Sequence, residues 1–360
     1  MNRQRSEHGP GEVAAAIRTQ RSALAEAVVA RIYGEVPGDW EPYGAPGREK
    51  SVRDVGYHLT YLAEALVATD PTLFTEYVAW VKVLFAGLEL PDSALPDTLH
   101  SMEIELREAL PEAMWHVVAP YLDAGLEACE RAPSQLPSFL RPDAPLTGLA
   151  RAYLDALLRG ERHIASHLIM NAVDEDVPIK EIYLNVFQPV QREVGRLWQH
   201  NQVSVAQEHY CTAATQLIMS QLYPKIFNLS HSDRRLVATC VGGELHEIGV
   251  RMVADFFEME GWDTYYLGAN TPTSSILQTV DEQDADVLAI SATLPFHVSK
   301  VAALVEQVRS AFVEERPRIL VGGYPFNTSP RLWQQVGADG YAPNAQEAIT
   351  LAAQLTRQES

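Results

Sequence analysis

The chain reads as a multidomain protein: a helical N-terminal part, a second helical block and a C-terminal α/β domain. Three observations predict this. From about residue 235 onward, short β-branched and apolar runs alternate with helical periodicity. Upstream of that point, apolar residues recur at three-to-four spacing without a strand-like run. Between the two helical blocks, APSQLPSFLRPDAPL (132–146) holds four prolines and few periodic signals, as an interdomain linker does. The boundaries that follow are a helical domain at 1–133, a linker at 134–146, a helical bundle at 147–230 and an α/β domain at 231–360.

In the first domain the periodicity predicts helices over 11–34, 52–69, 71–88, 98–110 and 111–132. Helices of this length and mixed packing suit an all-α, globin-like fold. Aromatic residues gather here: Trp40, Tyr43, Tyr57, Tyr61, Phe74, Tyr77, Trp80, Phe85, Trp115 and Tyr121. Such a set makes either a core or the wall of a flat chromophore. In the second block, helices are expected at 149–158, 164–173, 179–198 and 205–226, which with short joins imply a four-helix bundle. The last domain offers strands at 236–240, 264–267, 287–291, 319–321 and 340–341, with helices filling the gaps. Right-handed βα units of this kind wind into a flavodoxin-like parallel sheet.

Composition excludes several function classes. The 360 residues carry 47 acidic against 28 basic side chains, a net charge of −19, which argues against a nucleic-acid surface. No apolar run approaches the ~20 residues that span a bilayer. The opening MNRQRSEHGPGE lacks an apolar signal core, and Cys129, Cys211 and Cys240 lack metal-type spacing. A cytoplasmic protein is the expectation.

The densest signal is Glu244-Leu245-His246-Glu247-Ile248-Gly249, between the first predicted strand and its helix. A histidine in such a loop can reach out to a metal, a carboxylate can fix its tautomer, and a glycine at the helix start admits a flat ligand. Ser291 and Thr293 end the third strand, and Gly322-Gly323 end the fourth, all at carboxyl ends where open α/β sheets bind ligands.

These residues resemble the cobalamin-binding domain, over about 235–355. The resemblance implies that His246 is the lower ligand of cobalt, oriented by Glu244, with Leu245, Ile248 and Gly249 beside the corrin. Ser291, Thr293, Gly322 and Gly323 would then line the cleft for the displaced base. Glu244 stands where many members have Asp.

Upstream, Trp198 is followed after nine residues by Glu208-His209. Next to such a domain, this pattern resembles the bundle of adenosylcobalamin-dependent photoreceptors, over about 147–355. The likeness implies that Trp198 caps the upper adenosyl group with Glu208 and His209 near it, and that light cleaves the Co–C bond. The family's repressors carry a histidine directly after the tryptophan; here Gln199 takes that place and His200 follows. The repressors' basic DNA-binding element is also replaced by the acidic, aromatic helical domain.

That architecture is most similar to the photocobilins, which add a globin-like domain holding a bilin, usually biliverdin. Arg53, Tyr57, His58, Tyr61, Tyr77, Trp80, Trp115 and His116 are the candidate bilin contacts, Arg53, Tyr57 and Tyr61 sharing one helix face. Cys129 offers either a thioether or an inert buried thiol. Output would pass through assembly, for example a homodimer, or an unidentified downstream effector. Two other readings stand beside this one: a corrinoid methyl carrier serving a methyltransferase, and a haem-binding first domain using His58, His100 or His116.

Overall fold

The computed structural model describes residues 9–35, 43–226, 232–312 and 317–357. Trp40 lies outside the described residues. Two compact units divide the chain, Met1–Gln135 and Leu136–Ser360. The break falls just inside the segment 134–146 read as a linker.

The first unit is helical over Pro10–Glu35, Gly44–Val67, Thr72–Gly87, Ala94–Ala109 and Glu112–Arg131. Val13, Ile17, Leu24 and Val28 recur on one face of the first helix and are buried with Leu59, Leu62 and Leu66 of the second. Gly125 lets the last helix approach the third, since a Cβ there would lie 2.6 Å from the Phe74 ring. The second helix starts at Gly44, eight residues before the sequence signal at 52. Its first turns, GAPGREK (44–50), carry little apolar periodicity to announce them.

The second unit begins with helices Thr147–Leu158 and Arg162–Asp174. A stretch read from sequence as one helix then divides into Ile179–Ile182, a π-helical turn at Tyr183–Phe187, and Gln188–Gln199. The helix Val205–Ile226 closes the set. The former linker is tied to this block: Glu193 accepts a hydrogen bond from Phe139 N at 2.8 Å, His200 Nε2 accepts one from Leu136 N at 3.3 Å, and Leu140 is buried.

The sheet consists of β1 (Arg235–Cys240), β2 (Asp263–Gly268), β3 (Val287–Ser291), β4 (Arg318–Gly322) and β5 (Gly340–Tyr341). All pairings are parallel, in the order β2-β1-β3-β4-β5. That is the flavodoxin-like order, whose switch point lies between β1 and β3. Leu236, Ala238, Val287 and Ala289 join the bundle's Tyr183, Phe187 and Ile218 and the helix residues Phe256 and Phe257 in one apolar cluster. The bundle and the sheet domain therefore share a core. Tyr183 also donates a hydrogen bond to Asp255 at 2.7 Å, crossing from the π-helical turn to the helix Ile248–Met259.

Candidate cobalamin site

Parallel register places the carboxyl ends of three strands side by side: Cys240 pairs with Ser291, and Ser291 with Gly322. The loop 241–247 leaves β1 at this edge. Asn270, at the end of β2, fixes it twice: its Oδ1 accepts from Gly243 N at 2.7 Å, and its N donates to Glu244 O at 3.0 Å. Its φ of 52° is one that asparagine tolerates better than most residues.

Within that loop Glu244 is fully buried. One oxygen, Oε1, accepts from His246 Nδ1 at 2.6 Å and from His246 N at 3.0 Å. The other, Oε2, accepts from Thr293 N at 2.7 Å, Leu294 N at 3.3 Å and His297 Nδ1 at 2.9 Å. Burial alone would raise the pKa of Glu244, but the hydrogen bonds from His246, His297 and the two backbone amides hold it well below the usual carboxylate range. The longer side chain of Glu, compared with Asp, spans the loop without loss of contact to His246.

The hydrogen bond to Glu244 raises the pKa of His246 against its own partial burial, and the charges of Glu244 and Glu208 add to the rise. Glu208 belongs to the helix Val205–Ile226. That helix therefore lies near the His246 loop. Glu247 joins them again: Oε1 accepts from Gln216 Nε2 at 2.7 Å, and Oε2 accepts from Tyr266 Oη at 3.0 Å and Ala269 N at 2.9 Å.

The residues fit a corrin. With Nδ1 engaged by Glu244, the His246 ring turns its second nitrogen outward, and 57% of its side chain is exposed. Leu245 beside it is 72% exposed and sets an apolar side chain next to the imidazole. A Cβ at Gly249 would meet nothing within 4 Å, so the start of the helix Ile248–Met259 is open to a flat molecule. Among the described residues, no group of three or more His, Cys, Asp or Glu forms a metal cluster. A single imidazole can ligate a metal that a macrocycle already holds. On the far side of the cleft, Gly323 has φ 101° and a Cβ there would fall 1.9 Å from Ala292 O, so β3 and β4 close tightly behind Ser291 and Thr293.

Of the upper-face candidates, Trp198 is half-buried near the end of the helix Gln188–Gln199. Glu208 accepts from Thr212 Oγ1 at 2.9 Å and lies 3.5 Å from the exposed ring of His209. Gln199 is buried, and His200 is turned to Leu136 N. Sequence reasoning missed His297, the second imidazole on Glu244. It lies 53 positions away in a 3-10 turn, and no spacing rule joins the two.

In the first unit the structure brings together part of the expected chromophore set. Tyr61 and Tyr77 stack with centroids 3.6 Å apart, Trp80 lies 6.5 Å from Tyr77, and His58 Nδ1 meets Tyr77 Oη at 2.7 Å. Burial lowers the pKa of His58 to about 4. The shared face of Arg53, Tyr57 and Tyr61 runs from solvent to core: Arg53 pairs with Asp54 at the surface, Tyr57 is 49% exposed and Tyr61 is buried. His116 is exposed beside Glu112, and Trp115 is half-buried on that same helix, apart from the stacked set. The cavity beside His58, reached by Asp54 and Thr98, measures about 40 Å³, space for waters and not for a tetrapyrrole. None of Tyr57, Tyr61, Tyr77 and Trp80 lines this cavity. Cys129 is buried with its pKa raised by desolvation, which describes an inert thiol. His100 is exposed and bonded to Pro96 O.

Comparison with known proteins gives these folds a context. Residues 234–350 match the model of the B12 binding domain, and residues 149–223 a second model of the same description. Residues 5–128 match the model of the phycobilisome protein. A corrinoid protein of Desulfitobacterium hafniense is 25% identical over 202 residues, 55% of this chain and 92% of its own length. Dimethylamine corrinoid protein 3 of Methanosarcina acetivorans is 24% identical over 216 residues, 59% of this chain and 99% of its own. The solved monomethylamine corrinoid protein of Methanosarcina barkeri covers 58% of this chain and 99% of its own at a TM-score of 0.52 and 19% identity, a likeness of fold. Together the family models and relatives support a cobalamin-binding protein. No helix among the described residues is long and apolar enough to cross a membrane.

Proposed function

We propose that this cobalamin-binding chain is a light sensor: it would hold adenosylcobalamin between His246 and Trp198, and a bilin such as biliverdin in its first unit. The observation that carries the reading is the presence, on one chain, of the Glu244–His246 pair facing the Glu208 helix and of a first unit matching the phycobilisome model. Adenosylcobalamin supplies a cobalt–carbon bond weak enough for visible light to break. His246, oriented by Glu244, would hold the cobalt, and Ser291, Thr293, Gly322 and Gly323 would line the cleft that receives the rest of the cofactor. Trp198 and Glu208 shape the upper face, with His209 at its rim. In the first unit, Tyr57, Tyr61, Tyr77 and Trp80 would pack against the bilin. The signal would leave through a change in assembly, such as a homodimer, or through a downstream effector.

A second reading has its own support, and the relatives favour it over the first. The chain would then be a corrinoid protein that carries a methyl group for a partner methyltransferase, as the names of its dimethylamine and monomethylamine relatives suggest. The relatives match 55% and 59% of the chain, and the phycobilisome match on residues 5–128 is what the methyl-carrier reading leaves without a role.

Reconstitution with adenosylcobalamin, methylcobalamin and biliverdin separates the two. A sensor retains adenosylcobalamin in preference to methylcobalamin, changes its spectrum and its sedimentation after green light, and gains a broad red band with biliverdin. Replacement of Trp198 by Ala removes the preference while the corrin stays bound. Indifference to the upper group in the unmutated protein, with no red band, overturns the sensor in favour of the carrier.

A further inference from the structure

Away from the cobalamin cleft, the second unit carries a groove of about 500 Å³ between the segment 136–144 and the helical stretch 184–192. Its polar lining includes Arg141, Arg192 and Gln188, and its apolar lining includes Leu136, Phe139 and Leu184. That volume lies in the range of small-molecule sites, roughly 300–1,000 Å³.

Charge is what sets the groove apart. The chain has 47 acidic residues for 28 basic ones, so carboxylates are in excess. Neither Arg141 nor Arg192 has a carboxylate within ion-pair distance among the described residues, although neighbouring groups are matched. Glu193 is committed to Arg196 at 2.6 Å and to Phe139 N at 2.8 Å, and Glu181 accepts from Asn185 at 2.7 Å. Desolvation lowers the pKa of Arg192, and no acidic side chain offsets it. Both guanidiniums are solvent-accessible at the groove, and their donors are free to form charge-assisted hydrogen bonds with an anionic head.

The walls are already fixed. Glu193 and His200 hold the 136–139 segment to the helix Gln188–Gln199, and Arg196 Nη1 donates to Leu136 O at 3.4 Å. The floor contains the π-helical turn Tyr183–Phe187, a distortion that recurs at functional sites. Phe139 is 43% exposed over this space.

We propose that this groove binds an amphipathic organic anion, its carboxylate or phosphate head between Arg141 and Arg192 and its apolar body against Phe139, Leu136 and Leu184. Guanidinium forks match both heads, so the head group is defined by shared chemistry. The site is independent of how cobalamin is used.

The test is calorimetric titration of the full-length, cobalamin-loaded protein with octanoate, octyl phosphate, octanol and inorganic phosphate. Saturable binding of octanoate or octyl phosphate is expected, with octanol and inorganic phosphate at least about tenfold weaker, because charge-assisted hydrogen bonds and the apolar body both contribute. Whichever of the first two binds more tightly identifies the head. The R141Q/R192Q double variant should lose at least about tenfold in affinity while its cobalamin spectrum stays unchanged. R192Q alone, with one guanidinium left, should fall between them. No saturable binding of either anion, octanol binding as tightly as octanoate, or unchanged affinity in a double variant that still binds cobalamin would overturn the proposal.

Discussion

Glu244 serves two imidazoles and the start of a loop with one carboxylate, and its neutral isostere cannot do the same. Glu244→Gln would put an amide NH2 where either His246 or the Thr293 amide now donates. His246 would lose its tautomer control, and cobalamin affinity should fall by about 10–100-fold, the usual effect of removing a partner of a metal-ligating histidine. A spectral titration of the purified variant measures this directly, and wild-type affinity would show that the pair does not orient the ligand. Asp255 behaves in the opposite sense. Its burial pushes the pKa up to about 6 from 3.8, outweighing the hydrogen bond from Tyr183 and the charge of Arg251. The folded state thus binds the proton more tightly than the unfolded state, so stability is lost as pH rises from about 4 to 6. Asp255→Asn keeps an acceptor for Tyr183 and removes the charge. It should stabilise the second unit by about 1–3 kcal/mol at pH 7 and by little at pH 4, as read by urea unfolding at both values. Equal effects at both would assign the change to packing.

At the level of elements, the β3 and β4 ends are the tightest joint of the site. Gly323→Ala would set a Cβ against Ala292 O in a backbone conformation that L-residues rarely adopt. A loss of about 3 kcal/mol or more in denaturant unfolding is expected, and a loss below about 1 kcal/mol would mean that the two strand ends part easily. This joint was visible in the sequence because Gly322-Gly323 ends an apolar strand run. So were the five strands, whose β-branched runs set their positions to within a residue or so: Val287–Ser291 was read at 287–291. The π-helical turn at Tyr183–Phe187 was not visible, since a single widened turn leaves the three-to-four spacing almost intact. Nor were His297 and Asn270 as supports of the loop, because their contacts cross from one strand end to another. The 134–146 segment shows the same limit in reverse. Its prolines announced a linker, but Leu140 and the Phe139–Glu193 hydrogen bond attach most of it to the bundle. In the first unit, aromatic content pointed to the stacked Tyr61–Tyr77 pair, while the exposure of His116 depended on which way its helix faces.

Over the whole molecule, the two units carry buried titratable groups of opposite sign, and acid should separate them. His58 is 3% exposed with its pKa lowered to about 4 from 6.5, so the unfolded chain takes up the proton first. Stability that the first unit holds above pH 6.5 is lost as pH falls toward 4, by roughly 2 kcal/mol between pH 7 and 5. Asp255, raised to about 6, gives the second unit roughly 1 kcal/mol over the same descent. Native-state hydrogen exchange of the full chain at pH 7 and 5, corrected for intrinsic rates, reads both units at once. Peptides from Gly44–Val67 and Thr72–Gly87 should lose protection at pH 5, while those from Gln188–Gln199 and Ile248–Met259 hold or gain it. His58→Gln, which keeps a polar partner for Tyr77 but does not titrate, should flatten the response of the first unit alone. Parallel losses in both units, or an undiminished loss in the His58 variant, would place the acid sensitivity elsewhere than in this buried imidazole.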